Sequence, residues 1–173
     1  RIQVAAPNRG FTGSRVGFEW KPPATVERMI IMGDETALPA VSNILETLAP
    51  DHPAQVECFV EAPDHGDHEA AGAAAPRSSW LTRSGARPGE RLKQALRYVG
   101  LPEIAGSIDA PSPLATAARQ WEASDALTGA IYCLIAAEAN TVWVLRHDLL
   151  DRHWFVLRNA ALMGYWNEGR PCG

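Results

Sequence analysis

Apolar residues recur along the chain in two rhythms. Met29-Ile30-Ile31-Met32 is an unbroken apolar run of strand length, the pattern of a strand buried on both faces. It breaks at Gly33-Asp34, after which Leu38, Val41, Ile44, Leu45 and Leu48 recur at helical spacing. Asp34 or Thr36 can cap that helix, and Pro39 lies near its start, where a missing N–H costs little. Gln55 to Glu61 reads as a second strand, with Val56, Cys58 and Val60 alternating against Glu57 and Phe59. A third strand is expected at Ser78 to Arg83, followed by a helix over Gly89 to Val99 with Leu92, Ala95, Leu96 and Val99 on one face. Ala110 to Ala126 reads as a further helix, opened by Pro111 and Pro113, with Leu114, Ala117, Ala118 and Trp121 inward. Ala130 to Ile135 is a second strongly apolar strand, ended by Ala136-Ala137-Glu138. Thr141 to Leu150 is then a helix with Val142, Leu145 and Leu149 inward, and a last strand is expected within Trp154 to Trp166.

Strands separated by helices imply a mostly parallel sheet covered on both faces, a doubly wound α/β domain. Ligands in such sheets bind beyond the carboxyl ends of the strands, where the strand order reverses. Two stretches depart from the rhythm. Residues 62–77 form a polar loop rich in Ala and Gly, and residues 100–109 carry no clear signal. Arg1 to Val26, rich in Gly, Pro and Arg, reads as the end of a preceding domain and a linker. The nucleotide-binding domain is then expected over 27–173.

Composition narrows the function classes. At 46% hydrophobic and 21% charged residues, the 173-residue chain has the make-up of a soluble globular protein. No run approaches the roughly 20 apolar residues of a membrane span, and residues 1–30 lack the apolar stretch of a secretory signal. A chain that starts at Arg1 is expected to be a fragment or a processed product. The net charge of −4 argues against a general nucleic-acid binder, which needs a phosphate-neutralising surface. Cys58, Cys133 and Cys172 form no CxxC pair, and the first two lie in apolar runs, so neither a disulfide framework nor a zinc site is expected. Asp64-His65-Gly66-Asp67-His68-Glu69 gathers metal-ligating types, but in a loop without helical spacing, and reads as solvated chain. Ser78, Ser79 and Ser84 lack the GxSxG elbow of a hydrolase.

The candidate site is the turn Gly33-Asp34-Glu35-Thr36-Ala37 between the first strand and first helix. A helix N-terminus offers free N–H groups to a phosphate or polar ring. The turn is not a GxGxxG fingerprint, and its two acids oppose a closely held diphosphate, so nucleotide binding and an ordinary capped turn both remain open.

The run GDETALPA at 33–40 resembles the opening of the C-terminal domain of the siderophore-interacting protein family, relatives of ferredoxin-NADP reductases. Four further segments follow the family's order. Ile2-Gln3-Val4 with Pro7-Asn8-Arg9-Gly10 resembles the end of its flavin domain, and Trp80-Leu81-Thr82-Arg83 its Trp-Leu-x-Arg segment. Ala137-Glu138-Ala139 with Leu145-Arg146 resembles its Gly-Glu-Ala and Leu-Arg helix, and Gly164-Tyr165-Trp166 with Gly169 its ending. The departures are Ala137 for Gly and Asn167 for Arg, and the upstream flavin-binding barrel is absent from these 173 residues.

The resemblance implies a ferredoxin reductase-like nucleotide-binding domain in a cytoplasmic, monomeric reductase. NAD(P)H would deliver hydride to FAD held by the missing flavin-binding domain, and reduced flavin would reduce Fe(III) in a ferric-siderophore. No side-chain nucleophile, catalytic base or protein-bound metal is required. It implies that Gly33, Asp34, Glu35, Thr36 and Ala37 line the nicotinamide end. Arg83 and Arg87 would meet the adenosine phosphate, and Ala137 and Glu138 would face the cofactor crevice. Tyr165 and Trp166 would border the flavin or nicotinamide plane, while Arg9 and Arg170 would attract an anionic ferric-siderophore. Against these roles stand plainer ones: a core position for Trp80, a solvated strand-end charge for Arg83, a helix cap for Glu138 and a tail anchor for Tyr165-Trp166. A non-catalytic nucleotide- or siderophore-binding module, or a flavin reductase with another acceptor, are the rival functions.

Overall fold

The computed structural model describes residues 20–64, 66, 78–102, 121–122, 130–157 and 159–169. The strands are β1 (Arg28–Asp34), β2 (Gln55–Ala62), β3 (Ser79–Thr82), β4 (Trp121–Glu122), β5 (Ile131–Glu138) and β6 (Ala160–Trp166). The helices are α1 (Leu38–Thr47), entered through a 3-10 turn at Glu35–Ala37, α2 (Glu90–Tyr98) and α3 (Ala139–Leu157). Among the described residues the strands form one sheet in the order β3-β2-β1-β5-β6-β4. The first five are mutually parallel, and only β4 runs antiparallel, against β6. From β1 the chain moves outward to β2 and β3, then crosses to β5 and β6 on the other side. The order therefore reverses between β1 and β5, and the doubly wound α/β reading holds.

Strands buried on both faces need apolar side chains at every position, and β1 supplies them. Met29 and Ile31 pack with Val41, Ile44 and Leu45 of α1 on one face. Ile30 and Met32 pack with Leu92 and Leu96 of α2 and Val142, Leu145 and Leu149 of α3 on the other. Each aliphatic side chain so buried contributes roughly 1.5–3 kcal/mol relative to exposure. Trp20 meets Tyr132 edge-on, ring centroids 5.2 Å apart, and the Lys21 N–H donates to the Tyr132 hydroxyl at 3.1 Å. The end of the expected linker is thus fastened to the domain. No helix among the described residues is long and apolar enough to cross a membrane.

Four boundaries differ from expectation. β5 does not end at Ile135: Ala136, paired with both β1 and β6, and Ala137 and Glu138, paired with β6, continue it, and small alanines fit under the helices. α3 runs past Leu150 to Leu157, since no Gly or Pro interrupts residues 141–157. Trp154 to Leu157 are consequently helical, and the last strand starts only at Ala160. Trp121 and Glu122 are not helical but pair with Met163 and Leu162 at the sheet edge, where β6 still had unmatched backbone groups. The rest of the helix expected at 110–126 lies outside the described residues, as does all of the polar loop except 62–64 and 66.

Candidate functional site

The three central strands each carry an acid at the carboxyl end: Asp34 is the last residue of β1, Glu138 the last of β5, and Glu61 the last but one of β2. All three are buried at the carboxyl edge of the sheet. Burial of a carboxylate is tolerable only where donors surround it, and here the donors are the orphan N–H groups of helix first turns and neighbouring strand ends.

Asp34 joins three elements. Its Oδ1 accepts from the Thr36 N–H (3.0 Å) and hydroxyl (2.5 Å), capping the 3-10 turn that leads into α1. Its Oδ2 accepts from the Glu138 N–H at 2.8 Å and from the Trp166 indole at 2.9 Å. The ends of β1, β5 and β6 are thereby tied at one carboxylate. Gly33 permits the tight turn. A Cβ there would lie 2.8 Å from the Ala37 Cβ and 3.2 Å from the Ala136 carbonyl oxygen.

Glu138 caps α3, its Oε2 accepting from the Thr141 N–H at 2.8 Å, and its Oε1 meets the Glu168 N–H at 3.4 Å. A register irregularity between Ala137 and Glu138 re-aims the strand end toward this helix. The Ala137 side chain is core, packed on the α2–α3 face, so only its backbone borders the crevice.

Glu61 caps a helix that it does not precede. α2 starts on Gly89, which has φ +83° and no side chain to cap with. Glu61, wholly buried, supplies the acceptors from the adjacent strand: the Gly89 N–H at 2.6 Å and the Arg91 N–H at 2.9 Å. Only glycine fits at 89, because a Cβ would fall inside the Thr141 side chain as well as strain the backbone. Thr141 Oγ1 in turn donates to the Pro88 carbonyl at 3.2 Å, linking the starts of α2 and α3. Burial pushes the Glu61 carboxyl up, opposed by the backbone N–H groups and by Arg83.

Arg83 follows β3, where its N–H donates to the Ala62 carbonyl at 2.9 Å. Its side chain reaches across the end of β2 to β1. Nη2 pairs with Glu35, and Nε stands 3.7 Å from Glu61 Oε2 without a hydrogen-bond partner of its own. Only 8% exposed, it is neither the solvated charge nor a bare phosphate contact; two acids hold it. Arg87 is exposed in the turn between β3 and α2. Tyr165 and Trp166 are half-buried; burial, then the nearby Asp34 charge, pushes the Tyr165 phenol up.

The structure therefore gathers Gly33, Asp34, Glu35, Thr36, Ala37, Arg83, Ala137, Glu138 and Trp166 at one edge. Arg9 and Arg170 lie outside the described residues. Among the described residues no group of three or more His, Cys, Asp and Glu is arranged to hold a metal ion. Sequence reasoning missed Glu61, Gly89 and Thr141. The available signal was the recurrence of an acid at the end of each predicted central strand.

The described residues suit a dinucleotide in one respect and constrain it in another. The strand order reverses between β1 and β5, and the Arg83 guanidinium, with one nitrogen unbonded, reaches Glu35 of the turn after β1. The N-termini of α2 and α3, otherwise ready anion sites, already hold Glu61 and Glu138. An anion at this edge would therefore meet Arg83, which pairs with Glu35 of the turn, rather than a free helix N-terminus.

Comparison with known proteins gives a consistent picture. The family model described as "Siderophore-interacting protein" matches residues 26–169. An uncharacterized protein of Mycobacterium tuberculosis strain H37Rv is 26% identical over 163 residues, covering 89% of this chain and 49% of the relative. The mycobactin import ATP-binding/permease protein IrtA of Mycolicibacterium smegmatis is 27% identical over 154 residues, covering 88% of this chain and 14% of that protein. Among solved structures, a siderophore utilization protein from T. fusca superposes with a TM-score of 0.55 at 25% identity, over 84% of this chain and 46% of that one. The siderophore-interacting protein from Acinetobacter baumannii shares the fold, with a TM-score of 0.53 at 16% identity, over 87% and 51% of the two chains. The chain spans about half the length of the first of these relatives.

Proposed function

The chain belongs to the siderophore-interacting protein family, and from that premise we propose that it is the NAD(P)H-binding part of an FAD-dependent ferric-siderophore reductase. The family connects the chain with siderophore iron utilisation. The observation that supports the finer reading is the crevice between the ends of β1 and β5, with Gly33 allowing the tight turn and Arg83 buried beside it. When bound, NAD(P)H supplies hydride to FAD, and the reduced flavin supplies electrons to Fe(III), whose siderophore complex weakens on reduction.

This chain's residues bind and orient. Gly33 to Ala37 line the nicotinamide end, where Asp34 is already saturated by donors and so acts as scaffold rather than base. Glu35, the partly exposed acid of the turn, faces the same opening as Arg83. Arg83 and Arg87 receive phosphate, Arg suiting it by its planar fork of donors. Tyr165 and Trp166 border the plane on which the flavin of the neighbouring domain meets the nicotinamide, with the indole fixed by Asp34. Arg9 and Arg170 attract the anionic ferric-siderophore. A non-catalytic binding module is favoured by one observation: the two acids on Arg83 leave it no unopposed positive charge.

Calorimetric titration with NADH and NADPH tests the reading, together with ferrous-chelator assays of iron release in protein that carries its flavin domain. Saturable nucleotide binding, weakened about tenfold or more by Arg83→Ala, and nucleotide-driven Fe(II) release are expected. Binding without Fe(II) release would favour the module. Absence of both would overturn the reductase reading.

A further inference from the structure

We propose that Glu35 is the built-in occupant of a phosphate position on Arg83, and that a ligand phosphate binds there by taking the carboxylate's place. The inference rests on the nucleotide reading above and concerns how its anion is admitted.

The two acids beside Arg83 are not equivalent. Glu61 is wholly buried, and both its oxygens are engaged by backbone N–H groups at the start of α2. It cannot turn to satisfy Arg83, whose Nε stays 3.7 Å away. Glu35 has a 28% exposed side chain in a one-turn helix, and among the described residues its carboxylate has Arg83 as its partner and no other. Glu61 is held in place by the fold; Glu35 is exchangeable.

A guanidinium offers five N–H donors in a plane. Here one nitrogen meets Glu35, and the buried Nε has no hydrogen-bond partner. The donor set is only partly used, although the residue is more than nine-tenths buried. A phosphate brings more acceptor oxygens and more charge than a carboxylate, and pairs with the fork through two parallel bonds. The competing anion positions nearby, the first turns of α2 and α3, are closed by Glu61 and Glu138. An anion entering the crevice from solvent therefore meets Arg83 on the flank that Glu35 covers. Two acids against one arginine leave the cluster with an excess negative charge, which opposes that anion until Glu35 turns out to water. The exchange makes and breaks only hydrogen bonds and ion contacts.

The test is calorimetric titration of NADPH, NADH and inorganic pyrophosphate into the protein and its Glu35→Gln, Arg83→Gln and doubly substituted variants. Glu35→Gln keeps the side chain's size and removes its charge, and it is expected to tighten phosphate binding about tenfold. The gain disappears when Arg83 is also replaced. A gain with NADPH alone identifies the 2′-phosphate as the exchanging group; a gain with both nucleotides identifies the diphosphate. Should Arg83→Gln not fold, Arg83→Lys keeps the charge without the fork, and the gain shrinks. Unchanged or weaker nucleotide binding by Glu35→Gln, where the wild type binds, overturns the exchange and leaves the nucleotide reading standing. If no variant binds either nucleotide but Glu35→Gln gains pyrophosphate through Arg83, the exchange stands and the nucleotide reading falls. No gain with any of the three ligands overturns it.

Discussion

Along β1, Ile30, Ile31 and Met32 are buried among aliphatic neighbours on both faces, while Asp34, two residues further on, is as deeply buried and held by four donors. The contrast repeats on β2, from Val60 to Glu61, and on β5, from Ile135 to Glu138. The middle of the sheet is held by non-directional burial, which responds to volume. Its carboxyl edge is held by directional bonds, which respond to the position of single atoms. Stability and site geometry are therefore carried by different parts of the same strands. A lesion in the middle should cost more free energy, whereas a lesion at the edge should disturb the crevice more.

Three measurements bear on that division, in falling order of expected size. Ile31→Ala removes a fully buried side chain from the core between β1 and α1 and is expected to cost about 4 kcal/mol in urea unfolding. The tryptophan indole signals of the folded protein should stay in place. A shifted Trp166 signal would mean that the two regions are mechanically coupled. Asp34→Asn keeps the size but replaces one acceptor oxygen by a donor facing N–H groups, and is expected to cost about 2 kcal/mol. Its mark is local: the Trp166 indole proton, now short of its acceptor, exchanges faster by NMR. An unchanged exchange rate would break the assignment of Asp34 as the tie between β1 and β6.

The smallest effect is a pH dependence at Glu61. Because burial raises its carboxyl above the ordinary value of 4.5, the folded chain holds this proton more tightly than the unfolded chain. That contribution is complete below the ordinary value and is lost as the pH rises through the raised one. Urea unfolding across this window should show wild type losing stability relative to Glu61→Gln, which cannot titrate there. A constant difference between them would mean that donors and Arg83 cancel burial at Glu61, and a relative gain of the wild type that they outweigh it.

Much of the fold was legible. The apolar runs marked β1 and β5, and helical spacing identified Leu92, Ala95 and Leu96 of α2, Val99 at its end, and Val142, Leu145 and Leu149 of α3, all of them buried. The GDETALPA turn was recognisable, and the structure sets it at the switch point. The misses have physical causes. Glu61 shares its parity with Glu57 and so reads as a solvent-facing position. Its burial depends on the start of α2, 28 residues later. Trp121-Glu122 reads as helix by spacing, yet the unmatched edge of β6 recruits it as a strand. Ala136 to Glu138 read as a strand end, yet pairing with β6 carries β5 onward. Arg83 could be read as a ligand contact or a solvated charge, and neither reading included an acid on the neighbouring strand and another in the turn after β1.

By itself the sequence determined the parallel α/β class and the faces that meet the core, because the periods of strand and helix are written in consecutive residues. It also set an acid in the last two positions of each central strand. Which donors those acids meet was decided only by the tertiary structure. Asp34 finds the Trp166 indole 132 residues away, and Glu61 completes a helix whose N-cap residue, Gly89, has no side chain. Apolar burial accepts any neighbour of suitable volume, but a buried charge needs particular atoms in particular places, and only the folded sheet brings those atoms together.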